Sequence, residues 1–405
     1  MEKYSILVTG GAGYIGSHVA NAFAKAGHRV TILDTLVYGQ QPPRINAKFI
    51  KGSCANSPLV ENIFKKENID TVAHLAAFIE VGESVKNPLK FYDNNVSATV
   101  NLLKTMALCN VKNILFSSSC AVYGPPQGPL CETHAKIPAS PYGRTKLAVE
   151  WMIKDMANGI FNIVQSSCHP RLDLGSSSTS QEKLSLKLNN KQKEKVFLDC
   201  LREPRLISGS KAGMTKENIE SEKKLTKNSL NYTIFRYFNA AGATPKQGLG
   251  EKHVPETHLI PLLIRAIQNN KSVKIFGTNY KTPDGTCIRD YVHVSDIANA
   301  HILALDFMQR TGTSNIFNLG TEKGFSVKEI INELEILMNK KALIKLCPRR
   351  AGDVSKLVAV TTKAKETLGW NAHRSSLKEI LSDAIEWEQN KTLEKLKSLS
   401  RAIHF

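Results

Sequence analysis

Residues 5–16, which read SILVTGGAGYIG, decide the fold of this chain. Residues 5–9 form a short apolar run rich in β-branched side chains, which is typical of a buried strand. Gly11, Gly13 and Gly16 then match the G-x-G-x-x-G fingerprint of a dinucleotide-binding turn. These glycines permit a tight turn and a close approach of the backbone to a pyrophosphate, which the N-terminus of the next helix holds. The stretch therefore predicts a parallel α/β sheet with a dinucleotide at its edge.

The second predicted strand supports this interpretation. Residues 29–33 form another apolar run, which ends at Asp34. An acidic side chain at this point accepts hydrogen bonds from a ribose hydroxyl, and its charge disfavours a 2′-phosphate. NAD is therefore predicted rather than NADP. The alternative is an ordinary βαβ loop with a capping aspartate.

The length and composition indicate a soluble globular protein of two domains. The chain has 405 residues, of which 42% are hydrophobic and 22% are charged. No apolar run approaches the roughly 18 residues that span a membrane, and the N-terminus has no secretory h-region, so we expect a cytoplasmic protein. The eight cysteines show no C-x-x-C spacing. They are predicted to be reduced thiols, and no residue is assigned to a metal.

The formal net charge of +18 allows two interpretations. A basic protein can bind nucleic acid, or its field can steer an anionic substrate into a cleft. The lysines and arginines are dispersed, without a long basic run interleaved with aromatic residues. This dispersion favours solvated faces and anion steering over nucleic-acid binding.

Short strands alternate with amphipathic stretches through the first 160 residues. Strands are predicted at 5–9, 29–33, 47–50, 71–75 and 113–116, and helices at 17–26, 58–67, 93–109 and 141–158. This alternation predicts a doubly wound parallel sheet, whose ligands lie beyond the carboxyl ends of the strands. Beyond residue 242 the alternation weakens and a smaller α+β part is predicted, with helices at 258–268, 294–305 and 326–338 and a strand at 273–276.

Residues after the fifth strand and at the start of the next helix are candidates for catalysis. The serines of residues 117–119 follow that strand, where a reacting hydroxyl is expected. Tyr142 and Lys146 are four residues apart on the predicted helix and therefore adjacent in space. A nearby ammonium and an oxidised nicotinamide would stabilise the phenolate and lower the pKa of Tyr142, which makes it a candidate base. The alternative is a surface Tyr–Lys pair.

Eight ordered motifs resemble one known family. They are TGGAGYIGSH, YDNNVSATVNLL, FSSSCAVYG, SPYGRTK, RYFNAAGA, DGTCIRDYVHVSDIA, FNLGT and PRRAGD. They are similar to those of the extended short-chain dehydrogenase/reductases, and most closely of the UDP-glucose 4-epimerases, over the whole chain except residues 160–229. The resemblance implies a Rossmann sheet, tightly held NAD and a homodimer. It also implies interconversion of UDP-galactose and UDP-glucose through a transient 4-keto sugar.

The resemblance assigns roles to the candidate catalytic residues. Tyr142 takes the proton of the sugar 4-hydroxyl, Ser119 hydrogen-bonds the same oxygen, and Lys146 lowers the tyrosine pKa and binds the nicotinamide ribose. Related dehydratases and decarboxylases carry acidic residues beside the catalytic serine or threonine. This chain has Cys120 and Ala121 there, so chemistry beyond proton and hydride exchange is poorly provided for.

The resemblance also implies two sets of binding residues. Those for NAD, besides Tyr142 and Lys146, are Gly10, Gly13, Tyr14, Ile15, Gly16, Asp34, Ala76, Asn95 and Tyr237. Those for the UDP-sugar, besides Ser119 and Tyr142, are Phe238, Asn239, His258, Leu259, Arg289, Arg350, Asp353 and Leu357. The positions at which the chain departs from many family members are Ser53, Ile79 and His258. Leu357 is placed at the gate beside the sugar C2 group, where a tyrosine excludes N-acetyl sugars and a small residue admits them.

The chain is predicted to divide into three parts. Residues 1–159, completed by 230–241, form the NAD-binding Rossmann domain, and 242–405 form mainly the UDP-sugar-binding domain with segments returning to the first. Residues 160–229 are a Ser- and Lys-rich insertion, with a weak helix near 191–202, at the amino edge of the sheet. It is predicted to spare catalysis, as a tolerated loop or as a partner-binding or nucleic-acid-binding arm.

Two alternatives to the main function stay open. The same mechanism would serve a UDP-N-acetylhexosamine or a UDP-pentose. From another class, the chain would be a basic, non-catalytic nucleic-acid-binding protein that has kept the NAD fold.

Overall fold

The computed structural model describes residues 3–38, 41–124, 128–160, 230–350 and 353–403. The predicted insertion therefore lies outside the described residues, apart from residue 160, and so does the helix predicted near residues 191–202. No helix in the described part of the chain combines the length and the apolar character needed to cross a membrane.

The strands and helices are numbered separately in chain order. The strands are β1 (Ser5–Thr9), β2 (Arg29–Asp34), β3 (Lys48–Lys51), β4 (Thr71–His74), β5 (Asn113–Ser119), β6 (Asn231–Tyr237), β7 (Asn239–Ala241), β8 (Ser272–Phe276), β9 (Ile288–Arg289), β10 (Tyr291–His293), β11 (Asn315–Leu319), β12 (Phe325–Ser326), β13 (Leu343–Cys347) and β14 (Lys356–Leu357). The α-helices are α1 (Tyr14–Lys25), α2 (Ser57–Lys66), α3 (Val81–Lys86), α4 (Pro88–Tyr92), α5 (Ala98–Leu108), α6 (Pro141–Asp155), α7 (Leu259–Gln268), α8 (Val294–Thr311), α9 (Val327–Met338), α10 (Thr362–Leu368) and α11 (Leu377–Ile403).

Seven strands form one parallel sheet in the order β11-β6-β5-β4-β1-β2-β3. In the centre of the sheet, Ile6 of β1 is in register with Val30 of β2 on one side and Thr71 of β4 on the other. Every residue of β1 is buried, as expected for a strand covered on both faces. The strand order reverses beside β1, which creates a crevice at the carboxyl ends of the strands. The predicted doubly wound α/β fold is confirmed.

Helices cover both faces of this sheet. On one face α1 and α8 pack together, and Phe23 and Ile297 contribute to the same buried core. On the other face α2, α5 and α6 contribute Ile63, Leu102 and Val149 to a second core. Each core closes over apolar side chains that alternate between the two faces of the strands. The sheet is thereby fixed as a rigid base for the crevice.

Smaller sheets and three helices lie beyond the crevice. β9 pairs antiparallel with β12 and parallel with β14, and β8 pairs parallel with β13. Helices α7, α9 and α11 share a third core that includes Ile264, Leu334 and Leu381. This part follows the mixed α+β pattern predicted for the second half of the chain. The exact domain boundaries stay a prediction.

Differences from the predicted elements lie between β4 and β5 and also after β14, where neither α10 nor the 27-residue α11 was predicted. Residues 93–109 were expected to form one helix, but Asp93–Ser97 form a π-helical turn and α5 begins only at Ala98. Helices α3 and α4 are not predicted by the sequence pattern, because they have only six and five residues and Pro88 separates them. Periodicity needs a longer window than either helix offers.

Candidate active site

The glycine-rich loop between β1 and α1 forms one end of a large cavity. Gly10 has a φ of +71°, and a Cβ atom there would lie 2.6 Å from the backbone nitrogen of Ala76. A Cβ atom on Gly16 would overlap the carbonyl oxygen of Gly10. Only glycine therefore fits at these two positions. The tight turn brings the N-terminus of α1 to the cavity, where its N–H groups and dipole suit a pyrophosphate.

Asp34 stands beside this loop at the end of β2. Its Oδ2 accepts a hydrogen bond from the Ala12 N–H (3.0 Å), and its Oδ1 accepts one from the Leu36 N–H (2.8 Å). These bonds fix the carboxylate at the wall of the cavity, and its remaining lone pairs are available to ribose hydroxyls. The loop and Asp34 together fit a dinucleotide, with backbone donors for the phosphates and an acceptor for the ribose.

The cavity has a volume of about 500 Å³ and lies within the size range of small-molecule sites. The predicted site residues that line it are Gly10, Gly13, Tyr14, Ile15, Gly16, Asp34, Ala76, Ser119, Tyr142, Lys146, Tyr237, Phe238, Asn239, His258, Leu259 and Leu357. The predicted site residues that do not line it are Asn95, Arg289, Arg350 and Asp353. One space thus joins the glycine loop, the Tyr–Lys pair and most of the predicted sugar-binding residues.

Ser119, Tyr142 and Lys146 meet at the carboxyl edge of the sheet. Ser119 ends β5, and Tyr142 and Lys146 lie one turn apart at the start of α6, which Ser140 caps by accepting a hydrogen bond from the Gly143 N–H (3.1 Å). Tyr142 and Lys146 are 8% and 3% exposed. The Lys146 Nζ donates to the Ser117 carbonyl (2.7 Å) and lies 6.0 Å from the centre of the Tyr142 ring. The pair is therefore buried and adjoins the cavity, unlike a surface Tyr–Lys pair.

Burial dominates the acid–base properties of this pair. Desolvation raises the pKa of Tyr142 to about 12, although its hydrogen bond with Ser119 acts in the opposite direction. Desolvation also lowers the pKa of Lys146 to about 7, because the ammonium is removed from water. The expectation that Lys146 brings the tyrosine pKa down is thus not met by these side chains alone. The Lys146 ammonium is directed at the Ser117 carbonyl, and it does not offset the rise that burial causes in the pKa of Tyr142.

Asn95 lies behind the cavity wall rather than in it. Its Oδ1 accepts from the Phe78 N–H (2.8 Å), and its Nδ2 donates to the Phe78 carbonyl (3.0 Å) and to the Thr145 hydroxyl (3.2 Å). Phe78 and the neighbouring Asn94 line the cavity. Asn95 therefore holds the wall in place and connects it to α6, on which Tyr142 lies.

The charged residues predicted to bind UDP, with Arg289 and Arg350 on the pyrophosphate and Asp353 on the uridine ribose, contact other protein groups. Arg289 donates through Nη1 to the Ile288 carbonyl (3.0 Å) and to the Val354 carbonyl (2.8 Å), and its Nη2 lies 3.6 Å from Asp353 Oδ1. The Arg350 guanidinium lies 4.0 Å from the centre of the Phe276 ring. The structure therefore places Arg289 and Asp353 together, but it does not bring these three side chains to the cavity wall.

The predicted sugar end of the cavity is built from β6, β7 and β14. The Tyr237 hydroxyl is hydrogen-bonded to His301 Nε2 (3.0 Å), and Asn239 Nδ2 donates to the Asp290 carbonyl (3.0 Å). Leu357 lies opposite Arg289 in the pairing of β14 with β9 and is partly buried against the cluster that contains Phe238. This end of the cavity thus combines the apolar side chains of Phe238 and Leu357 with the polar side chains of Tyr237 and Asn239.

Sequence reasoning missed a buried ion pair beside the candidate catalytic residues. Glu150 Oε2 accepts from Arg236 Nη2 (2.6 Å), Glu150 Oε1 accepts from Arg236 Nε (2.9 Å), and Oε1 also accepts from the Ser118 hydroxyl (2.6 Å). Both charged side chains are fully buried. The signal in the sequence that could have pointed to Glu150 was its spacing. Glu150 follows Lys146 by four residues and thus lies on the same face of α6.

Comparisons with known proteins agree with this geometry. The family model described as "NAD dependent epimerase/dehydratase family" matches residues 6–168 and 219–320. A UDP-glucose 4-epimerase of Halalkalibacterium halodurans is 38% identical over 387 residues, which cover 95% of this chain and 96% of the relative.

Two solved structures are also similar. The UDP-glucose 4-epimerase of Brucella ovis in complex with NAD has a TM-score of 0.75 at 34% identity and covers 94% of this chain and 97% of its own. The UDP-glucose 4-epimerase of Stenotrophomonas maltophila, with bound NAD and formylated UDP-arabinopyranose, has a TM-score of 0.77 at 30% identity, with 96% and 99% covered. The chain therefore belongs to the NAD dependent epimerase/dehydratase family.

Proposed function

We propose that this protein is an NAD-dependent UDP-hexose 4-epimerase that interconverts UDP-galactose and UDP-glucose. The observation that carries the proposal is the placement of Ser119, Tyr142 and Lys146 in one cavity with the glycine loop and Asp34. The family membership and the UDP-glucose 4-epimerases among the similar proteins support it.

Each side chain has a distinct role in the proposed reaction. The residue 10–16 loop and Asp34 would hold NAD, which when bound takes a hydride from the sugar C4 and returns it to the other face of the resulting 4-keto sugar. Tyr142 Oη removes the proton of the 4-hydroxyl and later gives it back. The Ser119 hydroxyl orients the same oxygen, and its hydrogen bond acts to lower the pKa of Tyr142. Lys146 would bind the nicotinamide ribose, and the positive charge of bound oxidised nicotinamide would stabilise the phenolate. Burial of the pair limits the access of water to the site.

The neighbourhood of Ser119 supports epimerisation rather than elimination. Elimination needs a second acid or base near the sugar. Cys120 and Ala121 line the cavity beside Ser119, and neither position supplies a carboxylate.

The first experiment tests turnover directly. Purified protein that carries NAD is incubated with UDP-galactose, without added NAD, and UDP-glucose is followed through a coupled dehydrogenase. Product formation is expected, because the cofactor is regenerated in each cycle. Folded, NAD-bearing protein that yields no product from this substrate would contradict the proposal.

The second experiment tests the assigned base. Tyr142→Phe is expected to fold, retain NAD and lose about 10²–10⁴-fold in turnover, which is the usual contribution of a general base. Tyr232→Phe is the matched control, since Tyr232 lies at the start of β6, at the opposite end of that strand from the cavity. If Tyr142→Phe turned over at the rate of the wild-type protein, Tyr142 would not be the base.

A UDP-pentose is the second candidate substrate. The Stenotrophomonas maltophila relative was crystallised with formylated UDP-arabinopyranose, and Leu357 leaves an apolar wall at the predicted gate. A panel of UDP-hexose, UDP-N-acetylhexosamine and UDP-pentose, compared by kcat/KM, decides between these sugars. Salt-sensitive RNA binding without any epimerisation would instead favour the non-catalytic alternative.

The homodimer also stays a proposal. Exposed apolar side chains on neighbouring helices support it, with Leu89 of α4, Leu108 of α5 and Trp151 of α6 exposed by 81%, 48% and 57%. Sedimentation at several protein concentrations tests it, and a monomer at all concentrations would refute it.

A further inference from the structure

A second polar cluster lies on the cavity wall, in the loop that precedes α7. It consists of Glu251, His253, Glu256 and His258, and one potential ligand atom from each lies within 4.8 Å of the others. Glu251, His253 and His258 line the cavity. Only His258 was among the predicted substrate-binding residues, and the mechanism above uses none of the four.

Backbone contacts anchor the start of the loop and hold the Glu256 carboxylate in place. The Glu251 carbonyl accepts from Trp387 Nε1 (2.8 Å) on α11, which anchors the start of the loop. Glu256 Oε1 accepts from the backbone N–H groups of Thr257 (2.9 Å) and His258 (3.0 Å). Both carboxylates are nearly inaccessible to solvent, with side-chain exposures of 7% for Glu251 and 2% for Glu256. The cluster is thus built before any ligand arrives.

The nearby cations are mostly neutralised by a different residue. Arg265 donates to Glu388 through Nε (2.8 Å) and Nη2 (3.2 Å), and it reaches Glu256 only at 3.3 Å. The Lys391 Nζ contacts the same Glu388 carboxylate. Arg265 thus divides its charge between Glu388 and Glu256. Among the described residues, the ion-pair partners of the Glu251 carboxylate are the imidazoles of His253 and His258, which are themselves metal-binding groups.

The donor set indicates which cation fits. Glu251 Oε1 is hydrogen-bonded to the Nδ1 atoms of both His253 and His258, so two imidazoles and a carboxylate already converge on one point. Imidazole nitrogen with carboxylate oxygen is the ligand combination of Zn²⁺ and similar transition metals, whereas Mg²⁺ and Ca²⁺ prefer oxygen alone. Because ligands of one Zn²⁺ bind at about 2.0–2.2 Å, small side-chain rotations would close the four groups around an ion.

We propose that Glu251, His253, Glu256 and His258 bind one divalent transition-metal ion of the Zn²⁺ type. The ion would replace the hydrogen bonds of the cluster and fix residues 251–258 as one wall of the cavity. The proposal differs from the sequence analysis, which assigned no residue to a metal. The proposed metal site does not depend on which sugar the cavity accepts.

The experiment measures metal binding apart from turnover. Tag-free full-length protein is freed of metal with a chelator and titrated with Zn²⁺ by calorimetry, and Co²⁺ absorption reports the coordination. We expect one Zn²⁺ per chain, a rise in melting temperature in excess Zn²⁺, and no comparable binding of Mg²⁺. His253→Ala should weaken Zn²⁺ binding by more than about 100-fold, since loss of an outer-shell partner alone costs up to that factor.

Two further variants make the result decisive. His253→Gln keeps a hydrogen-bond donor for Glu251, so it tests the metal site if His253→Ala fails to fold. His373→Ala removes an exposed histidine outside the cluster and should bind Zn²⁺ as the wild type does. The proposal is overturned if the wild type binds less than one Zn²⁺ per chain, if both His253 variants retain its affinity, or if His373→Ala loses as much.

Discussion

Removing the carboxylate of Glu150 should strongly destabilise the protein. Glu150 and Arg236 are both fully buried and are joined by two hydrogen bonds of 2.6 and 2.9 Å. The other partners of the guanidinium are neutral, namely the Tyr123 hydroxyl (2.9 Å) and the Glu132 carbonyl (3.1 Å). Glu150→Ala therefore leaves a buried charge without a counter-charge, and breaking such a pair costs about 3–5 kcal/mol.

The assay is urea unfolding followed by circular dichroism, with the free energy of unfolding compared between variants. Glu61→Ala is the matched control, because Glu61 pairs with Lys65 one turn away on the exposed surface of α2. It should cost no more than about 0.5 kcal/mol. The double variant Glu150→Leu/Arg236→Met removes both charges, and its loss of stability should be far smaller than the sum of the losses in Glu150→Leu and Arg236→Met.

Two results would refute this reasoning. A loss below about 1 kcal/mol in Glu150→Ala would mean that the guanidinium is not left as a buried, unpaired charge. Full additivity in the double variant would mean that the two residues contribute independently.

Two further predictions concern the cofactor loop and acid stability. Gly10→Ala should abolish the retention of NAD, because the added Cβ would lie 2.6 Å from the Ala76 nitrogen at a φ of +71°. Gly82→Ala is the control, because a Cβ atom there meets nothing within 4 Å. The measurement is the amount of cofactor released when the purified protein is denatured. Burial lowers the pKa of His74 to about 3 and that of His301 to about 4. Below pH 6.5 these two histidines therefore bind protons in the unfolded chain but not in the native protein. As the pH is lowered from about 6.5 to 4, the free energy of unfolding should therefore decrease, by up to about 1.4 kcal/mol per pH unit for each histidine. Urea midpoints across this range measure the slope, and a slope unchanged in His74→Gln would contradict the assignment.

Local sequence determined the sheet and the reactive pair. β1 occupies the residues predicted for it, Ser5–Thr9, because a run of apolar, β-branched residues has few ways to be buried except as a central strand. Tyr142 and Lys146 were placed together by their four-residue spacing alone. The short helices α3 and α4 and the π-helical turn before α5 escaped prediction, because each is shorter than the window that reveals a period. The 27-residue α11 was also not predicted, although it is longer than that window.

Only the tertiary structure decided which distant residues meet. Arg236 and Glu150 are 86 positions apart, and Glu251 contacts Trp387 across 136 positions; neither pairing has a periodic signal in the sequence. The pKa of Tyr142 likewise depends on how deeply α6 packs against β5, and the effect of that burial outweighs the hydrogen bond with Ser119. Spacing and propensity act over a few residues, whereas ion pairs, burial and metal-type clusters arise from chain segments that packing alone brings together.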